Sequence, residues 1–242
     1  MNKQNRPRQR LDVELVKRKL LMSRSQAESY IKLGRVKVNR RPADKAGQPI
    51  KATDKLSVSG EQYVSRAAFK LASAVEKLNV DFKDKIVLDV GSSTGGFTDY
   101  ALAHGAKLVI AVDVGTNQLH PTLRADKRVE LHEKTDIRDF QTDQIINLVL
   151  IDVSFISLRQ VLPAISKLLV PNSQILAMVK PQFEAGGRYK HKGVIKNDAI
   201  RRQILKEFEE WVRNKFSIVG KADSEISGAK GNRERFYLLR SL

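Results

Sequence analysis

Three kinds of residue in this chain could do chemistry: carboxylates that end apolar runs, a lysine that ends another, and glycines that leave backbone bare beside them. The apolar run Lys85-Ile86-Val87-Leu88 leads into Asp89, Val90, Gly91, Ser92, Ser93, Thr94, Gly95, Gly96 and Phe97. The next apolar run, Leu108 to Val112, is closed by Asp113. Backbone without side chains can approach a ligand closely, and a carboxylate about 20 residues further on can hold a ribose diol. Ser92, Ser93 and Thr94 add hydroxyls and N–H groups to the same loop. The pattern points to a nucleoside-bearing ligand. A dinucleotide fingerprint, G-x-G-x-x-G, wants glycine where Ser93 stands, which argues against a nicotinamide dinucleotide. A tight strand-to-helix turn without a ligand stays open on this motif alone.

Further charged residues lie at the carboxyl ends of later strand candidates: Asp136 in Thr135-Asp136-Ile137, Asp152 after Val149-Leu150-Ile151, and Lys180 after Ile175-Leu176-Ala177-Met178-Val179. The elements that must position them alternate. Strands are expected at 85–90, 107–113, 128–132, 147–152 and 174–180, with helices near 65–79, 96–104, 117–125, 157–169 and 198–213. Such alternation implies a parallel sheet covered on both faces. No helical pattern separates the runs Phe216 to Ile226 and Arg235 to Leu239, so they predict an antiparallel hairpin at the sheet edge. Open α/β sheets bind ligands at the carboxyl ends of their strands, where these charges lie.

Composition narrows the partner. The 242 residues carry a net charge of +17 and no cysteine, which excludes disulfides, Cys-ligated zinc and a cysteine nucleophile. Residues 1–60 hold sixteen Lys/Arg against five Asp/Glu, so the basic character concentrates there and calls for a polyanion. No apolar run approaches the ~18 residues of a membrane span. The polar start, Met1 to Arg10, does not resemble a signal peptide, and a cytoplasmic protein is the expectation. The four histidines, at 104, 120, 132 and 191, lack metal-ligand spacing, so no metal is expected.

Residues 11–58 read as a separate small unit. Leu11, Leu15, Val16 and Leu20 mark one helix face. Ser25 with Glu28 suggests a capping box for a second helix, Gln26 to Leu33, closed by Gly34. Short strands follow at 35–39 and 55–58, and Ser59-Gly60-Glu61-Gln62 makes a polar connector, giving domains 1–60 and 61–242. The segment resembles the S4 RNA-binding domain through Arg10-Leu11-Asp12, Ser23-Arg24-Ser25-Gln26-Ala27, Ile31, Gly34-Arg35-Val36 and Val38-Asn39. That resemblance makes Arg10, Arg24, Lys32, Arg35 and Lys37 candidate phosphate contacts, which dock an RNA rather than read its sequence. A solvated basic face is the plainer reading of the same residues.

The late glycine pair Gly95-Gly96 and the terminal hairpin resemble class I S-adenosylmethionine (SAM) methyltransferases, whose acid after the third strand holds the adenine amino group, here Asp136 beside Ile137. Lys70, Asp152, Lys180 and Glu234 match in order the Lys-Asp-Lys-Glu tetrad of the FtsJ-like ribose 2′-O-methyltransferases. Together with the S4 module, the segments Asp152-Val153-Ser154-Phe155-Ile156-Ser157, Lys180-Pro181-Gln182-Phe183-Glu184 and Gly228 to Glu234 resemble the TlyA family of rRNA 2′-O-methyltransferases, often labelled hemolysins. The resemblance covers nearly the whole chain. It implies an α/β, Rossmann-like methyltransferase domain with a mostly parallel seven-stranded sheet, preceded by a small α+β S4 domain. It further implies SAM as methyl donor, with Asp152 also near it, and ribosomal RNA, with a cytidine favoured, as acceptor.

On that reading Lys180 serves the reacting oxygen as base or as electrostatic clamp, Lys70 assists it and orients the nucleotide, and Asp152 and Glu234 position the two lysines. Lys70 also reads as a solvated lysine, since Arg66, Lys70 and Lys77 fall away from the apolar face of helix 65–79. Glu234, in a hairpin loop, reads equally as an ordinary surface acid. The stretch Gly186 to Gly193, with Arg188, Tyr189, Lys190 and Lys192, suggests a loop closing on RNA, with Arg66 a further contact; a plain solvated loop fits as well. Base methylation, a non-catalytic RNA-binding or assembly role, and membrane lysis are the competing functions. The first lacks its usual motif, because Asp152-Val153-Ser154-Phe155 has neither proline of the exocyclic-amine pattern.

Overall fold

In the computed structural model residues 9–188, 193–228 and 231–242 are described. Backbone contacts divide the chain into Met1–Arg66 and Ala67–Leu242.

The first unit runs β1 (Gln9–Arg10), α1 (Leu11–Lys17), α2 (Arg24–Lys32), β2 (Val36–Val38), β3 (Arg41–Pro42), β4 (Pro49–Ile50) and β5 (Leu56–Val58). Strands β3, β2 and β5 form an antiparallel sheet, and β1 pairs with β4. Leu11, Leu15, Ala27, Tyr30, Ile31 and Val36 are buried as its core. The cap of α2 is Ser23, not Ser25: Ser23 Oγ accepts the Gln26 N–H at 3.1 Å, the third residue of the helix, so the helix starts two residues before the expected Gln26. Residues beyond the polar connector fold back on α2. Tyr63 is buried, its N–H donates to Tyr30 Oη at 2.7 Å, and its carbonyl accepts Gln26 Nε2 at 2.7 Å. Those bonds place residues 61–66 with the first unit.

The second unit runs α3 (Ala67–Leu78), β6 (Ile86–Val90), α4 (Gly96–Ala103), β7 (Leu108–Val112), α5 (Pro121–Arg124), β8 (Val129–His132), β9 (Ile146–Ile151), α6 (Leu158–Ile165), β10 (Leu169–Val179), α7 (Pro181–Glu184), α8 (Asp198–Val212), β11 (Phe216–Asp223) and β12 (Arg235–Ser241). Its seven-stranded sheet has the order β11-β12-β10-β9-β6-β7-β8. All pairs from β10 to β8 are parallel, and β12 is antiparallel to both its neighbours. The expected helix 117–125 shrinks to α5, because Asn117 takes φ +53° and Pro121 can enter a helix only in its first turn. Helix 157–169 ends at Ile165, followed by a 3-10 turn at Ser166–Leu168, and β10 begins at Leu169, earlier than expected.

Leu88, Ile110, Val149, Ile151, Ile175 and Val179 from the central strands pack with Leu162, Phe208 and Tyr237 in one apolar core. Full burial on both faces explains why these strands read as continuous apolar runs. Chain order reverses beside β6, whose neighbours are β7 and β9. A crevice forms outside the strand ends at such a switch point.

Candidate active site

The loop after β6 is shaped by two glycines. Gly91 has φ +82°, and a Cβ there would meet the Asp152 carbonyl oxygen at 2.8 Å, so only glycine lets this loop close against the end of β9. Gly95 has φ +92°, and its Cβ would lie 2.3 Å from Leu123 Cδ1. Asp113 takes hold of the loop from the end of β7. Its Oδ2 accepts the Ser93 N–H at 2.8 Å and its Oδ1 the Gly115 N–H at 2.7 Å. A carboxylate oxygen can accept two hydrogen bonds, so capacity remains there for a diol. Ser93 and Thr94 are exposed on the loop, and Gly96 opens α4.

Asp89 is wholly buried. Thr98 Oγ1 donates to its Oδ2 at 2.6 Å, while Oδ1 and the buried Ser92 Oγ have no partner. Burial, with help from the neighbouring Asp152 and Asp113 charges, pushes the Asp89 carboxyl up to about 7. Two unpartnered buried polar atoms beside a glycine cradle fit a ligand that brings its own donors, such as an amino acid ammonium or a sugar hydroxyl. Phe97, which closes the loop segment read as a nucleoside site, lies beneath it. Its ring is 2% exposed and packs on Phe236 at 6.2 Å, so it is a core residue under the loop. Ile137 is likewise buried in the core. Asp136 is occupied by Arg138, whose guanidinium bonds both carboxylate oxygens at 2.6 to 3.1 Å. That hydrogen-bonded pair holds the Asp136 carboxyl below the usual range, and an adenine amino group would compete with it.

The four tetrad residues form two ion pairs. Lys180 follows β10 and its Nζ lies 2.6 Å from Asp152 Oδ1, at the end of the adjacent β9, and donates to Ser154 Oγ at 2.8 Å. Lys70 on α3 bonds the Glu234 carboxylate, with the two side chains 8% and 4% exposed. Neither the solvated reading of Lys70 nor the surface reading of Glu234 describes their positions. The sheet brings the pairs to one edge: Val179 is the register partner of Arg235, so Lys180 and Glu234 leave adjacent strands side by side. Asp152 in turn donates its N–H to Val90 at 3.0 Å, just before Gly91. The Glu234 carbonyl accepts the Ser224 N–H at 3.0 Å, beside Asp223. Asp223 receives Arg201 Nη2 and Arg235 Nε, both at 2.6 Å, and a Cβ on Gly228 would lie 2.7 Å from Glu234 Oε1. These arginines hold the Asp223 carboxyl at about 2 against the opposing effect of burial.

Phe155 was not expected as a site residue. It has φ +66°, is 91% exposed, and its ring lies 5.2 Å from that of Phe183. A large aromatic residue in the left-handed region, with its ring in solvent, carries strain that folding alone does not explain. The one sequence signal was its place three residues after Asp152. The loop that follows α7 is fastened by the buried Asn232, which donates from Nδ2 to Gly193 O at 2.8 Å and accepts the Ile195 N–H at 2.9 Å. Of the residues expected to touch RNA there, Lys190, Lys192 and the side chain of Arg188 lie outside the described residues, with Tyr189 and His191.

In the first unit the expected phosphate contacts divide. Lys32 and Lys37 are exposed. Arg35 is laid across Gly60, where a Cβ would come within 2.1 Å of its Nη1, and Arg66 is half-buried. Arg10 and Arg24 are committed to structure, because both bond the fully buried Asp12 at 2.9 to 3.2 Å. The Arg10 bond above all keeps the Asp12 carboxyl at about 2. Each guanidinium keeps other N–H groups for an anion. No group of three or more His, Asp or Glu side chains able to hold a metal occurs among the described residues, and no described helix is long and apolar enough to cross a membrane.

The FtsJ-like methyltransferase family model matches residues 63–241, and the S4 domain model matches 9–56. The chain is 39% identical over 242 residues to the 16S/23S rRNA (cytidine-2′-O)-methyltransferase TlyA of Mycobacterium tuberculosis, covering 97% of this chain and 90% of the relative. It is 41% identical over 219 residues to Hemolysin A of Brachyspira hyodysenteriae, covering 88% and 91%. A solved chain from Streptococcus thermophilus that carries a hemolysin label is 40% identical with a TM-score of 0.74, covering 97% of this chain and 89% of that one. The chain belongs to the FtsJ-like methyltransferase family, in the TlyA branch that joins an S4 domain to the methyltransferase fold.

Proposed function

We propose that this protein methylates a ribose 2′-oxygen of ribosomal RNA, with SAM as methyl donor, a cytidine as target and the S4 unit docking the RNA. The observation that carries this reading is the pairing of Lys180 with Asp152, and of Lys70 with Glu234, at the strand ends beside the Gly91 loop. It is supported by likeness over most of the chain to a relative named for rRNA (cytidine-2′-O)-methylation.

Bound SAM supplies an activated methyl on a sulfonium, so the protein's task is to hold and orient the acceptor. Lys180 does so by counting donors. Its ammonium donates one N–H to Ser154 Oγ and is ion-paired with Asp152, which leaves N–H capacity for the ribose oxygen. Such a bond would hold the ribose oxygen in place with a lone pair left over for the donor's methyl group. Transfer would form the carbon–oxygen bond as the sulfonium carbon–sulfur bond breaks, with S-adenosylhomocysteine leaving and the hydroxyl proton passing to water, and Lys180 would serve as a clamp on the oxygen. Lys70, fixed by Glu234, places a second positive charge near the nucleotide. The exposed Phe155 offers a stacking face for the target base.

Tritiated SAM and unmodified ribosomal subunits, digested to nucleosides after reaction, test the proposal. Ribose-methylated cytidine is expected, and Lys180→Ala should lower transfer by about 10²–10³-fold while RNA binding persists. Base-methylated product, or full activity in that variant, refutes it.

A further inference from the structure

One buried acid beside the site has no part in this chemistry. Glu184 is 7% exposed. Its Oε1 accepts the Leu158 N–H at 2.7 Å and its Oε2 accepts the Ser157 hydroxyl at 2.6 Å, across from its own segment. Helix α6 already has a cap, since Ser157 Oγ accepts the Arg159 N–H at 3.1 Å, so capping alone gives no reason to bury a carboxylate there. Burial pushes the carboxyl up, and its nearest cation, Arg159 Nε, stands 3.8 Å away. Glu184 sits in a position that costs free energy, which asks what it holds.

It joins two segments. On its own side one helical turn separates it from Lys180, whose carbonyl accepts the Phe183 N–H at 2.9 Å and the Glu184 N–H at 3.3 Å. On the other side Ser157 follows Phe155 by two residues and Asp152 by five. The same two segments also meet through Lys180 with Asp152 and Ser154, and through the Phe155 and Phe183 rings. Of these ties the Glu184 bonds are the most buried. The strained Phe155 backbone has no regular hydrogen-bond ladder to hold it, so a fixed point two residues on limits where its ring can go.

We propose that Glu184 is a positioning residue. It locks segment 152–157 to segment 180–184, so that the Phe155 ring and the free N–H of Lys180 face one nucleotide together. The inference rests on the methyl-transfer reading for its consequence, but the lock itself is measurable without turnover.

The test uses the full chain with Glu184→Ala and Glu184→Gln. A displacement of about 1 Å can cost on the order of 10²-fold, so Glu184→Ala should lower kcat by roughly 10–100-fold with SAM affinity by calorimetry within about 3-fold. Glu184→Gln keeps an acceptor for Leu158 N–H, and the Ser157 hydroxyl can turn to suit an amide, so kcat should return to within about 3-fold of the parent. Chymotrypsin reads the lock directly: cleavage after Phe155, followed by mass spectrometry, should quicken by about 5-fold or more in Glu184→Ala and not in Glu184→Gln. Ser157→Ala, which keeps the Leu158 bond, serves if Glu184→Ala does not fold, with an expected acceleration of about 3-fold. Parent rates of turnover and cleavage in Glu184→Ala overturn the inference. So does equal damage in both Glu184 variants with SAM affinity falling alongside, which marks a merely structural acid. A parent protein that transfers no methyl group sinks the proposed function, while the cleavage ratios still decide the lock.

Discussion

Replacing Asp89 by Asn tests whether the site has been built at the expense of stability. The Asp89 carboxyl is raised from 3.8 to about 7 by burial first of all. The folded state therefore binds its proton more tightly than the unfolded state. This contribution is fully present below pH 3.8 and is lost as pH rises through about 7. At 1.36 kcal/mol per unit, the loss above pH 7 is on the order of 4 kcal/mol, and the part falling between pH 5 and 8.5 is about 3 kcal/mol. Asn carries no charge, so Asp89→Asn lacks this fall. Its amide would leave N–H groups near the unpartnered Oδ1 position, which costs about 1–3 kcal/mol at every pH. The prediction is therefore the slope rather than the offset: the variant gains about 3 kcal/mol on the parent between pH 5 and 8.5. The assay is urea unfolding at a series of pH values, followed by fluorescence of Trp211, the single tryptophan, which reports on the second unit. Saturating SAM should shrink the difference if a cationic donor occupies Oδ1. A stability difference that stays flat to within about 1 kcal/mol would refute the assignment of a buried, charge-destabilised carboxylate.

Glu234→Ala leaves the buried ammonium of Lys70 without its partner and should cost the second unit about 3–5 kcal/mol in urea melts. Combining Lys70→Met with Glu234→Leu should restore most of that stability while methyl transfer stays lost; an active double variant would place Lys70 outside the chemistry. Phe155→Ala removes a ring that is 91% exposed, so its melting temperature should not fall, yet transfer to RNA should drop by roughly 5–150-fold, the worth of ~1–3 kcal/mol of base stacking. Undiminished transfer in that variant would exclude the stacking role. Gly95→Ala puts a Cβ 2.3 Å from Leu123 Cδ1 at φ +92°, and calorimetry should show weaker SAM binding together with about 1–3 kcal/mol of lost stability.

Much of this protein was legible before any coordinates. Continuous apolar runs alternating with amphipathic segments determined the parallel sheet, because strands buried on both faces are built mostly from apolar residues. A charge that ends such a run must lie at the carboxyl end of the sheet, and Asp113, Asp152 and Lys180 do, each directly after its strand, while Asp89 is the fourth residue of β6 itself. The glycines followed from the same logic, since a loop that presses on the Asp152 backbone has no room for a Cβ. Periodicity reports only which face of an element is covered, not what covers it. It therefore could not show that Lys70 lies beneath Glu234, 164 residues away, and left it looking solvated. It placed Arg10 and Arg24 on a basic face when their first duty is the buried Asp12. It gave no sign that Glu184 reaches back to Ser157, or that Phe155 stands in solvent on a strained backbone. Partner choice among charged groups depends on distances fixed by strand order, turn geometry and desolvation, and those exist only once the chain has folded. The sequence determined which residues could act; the tertiary structure decided which of them act as pairs.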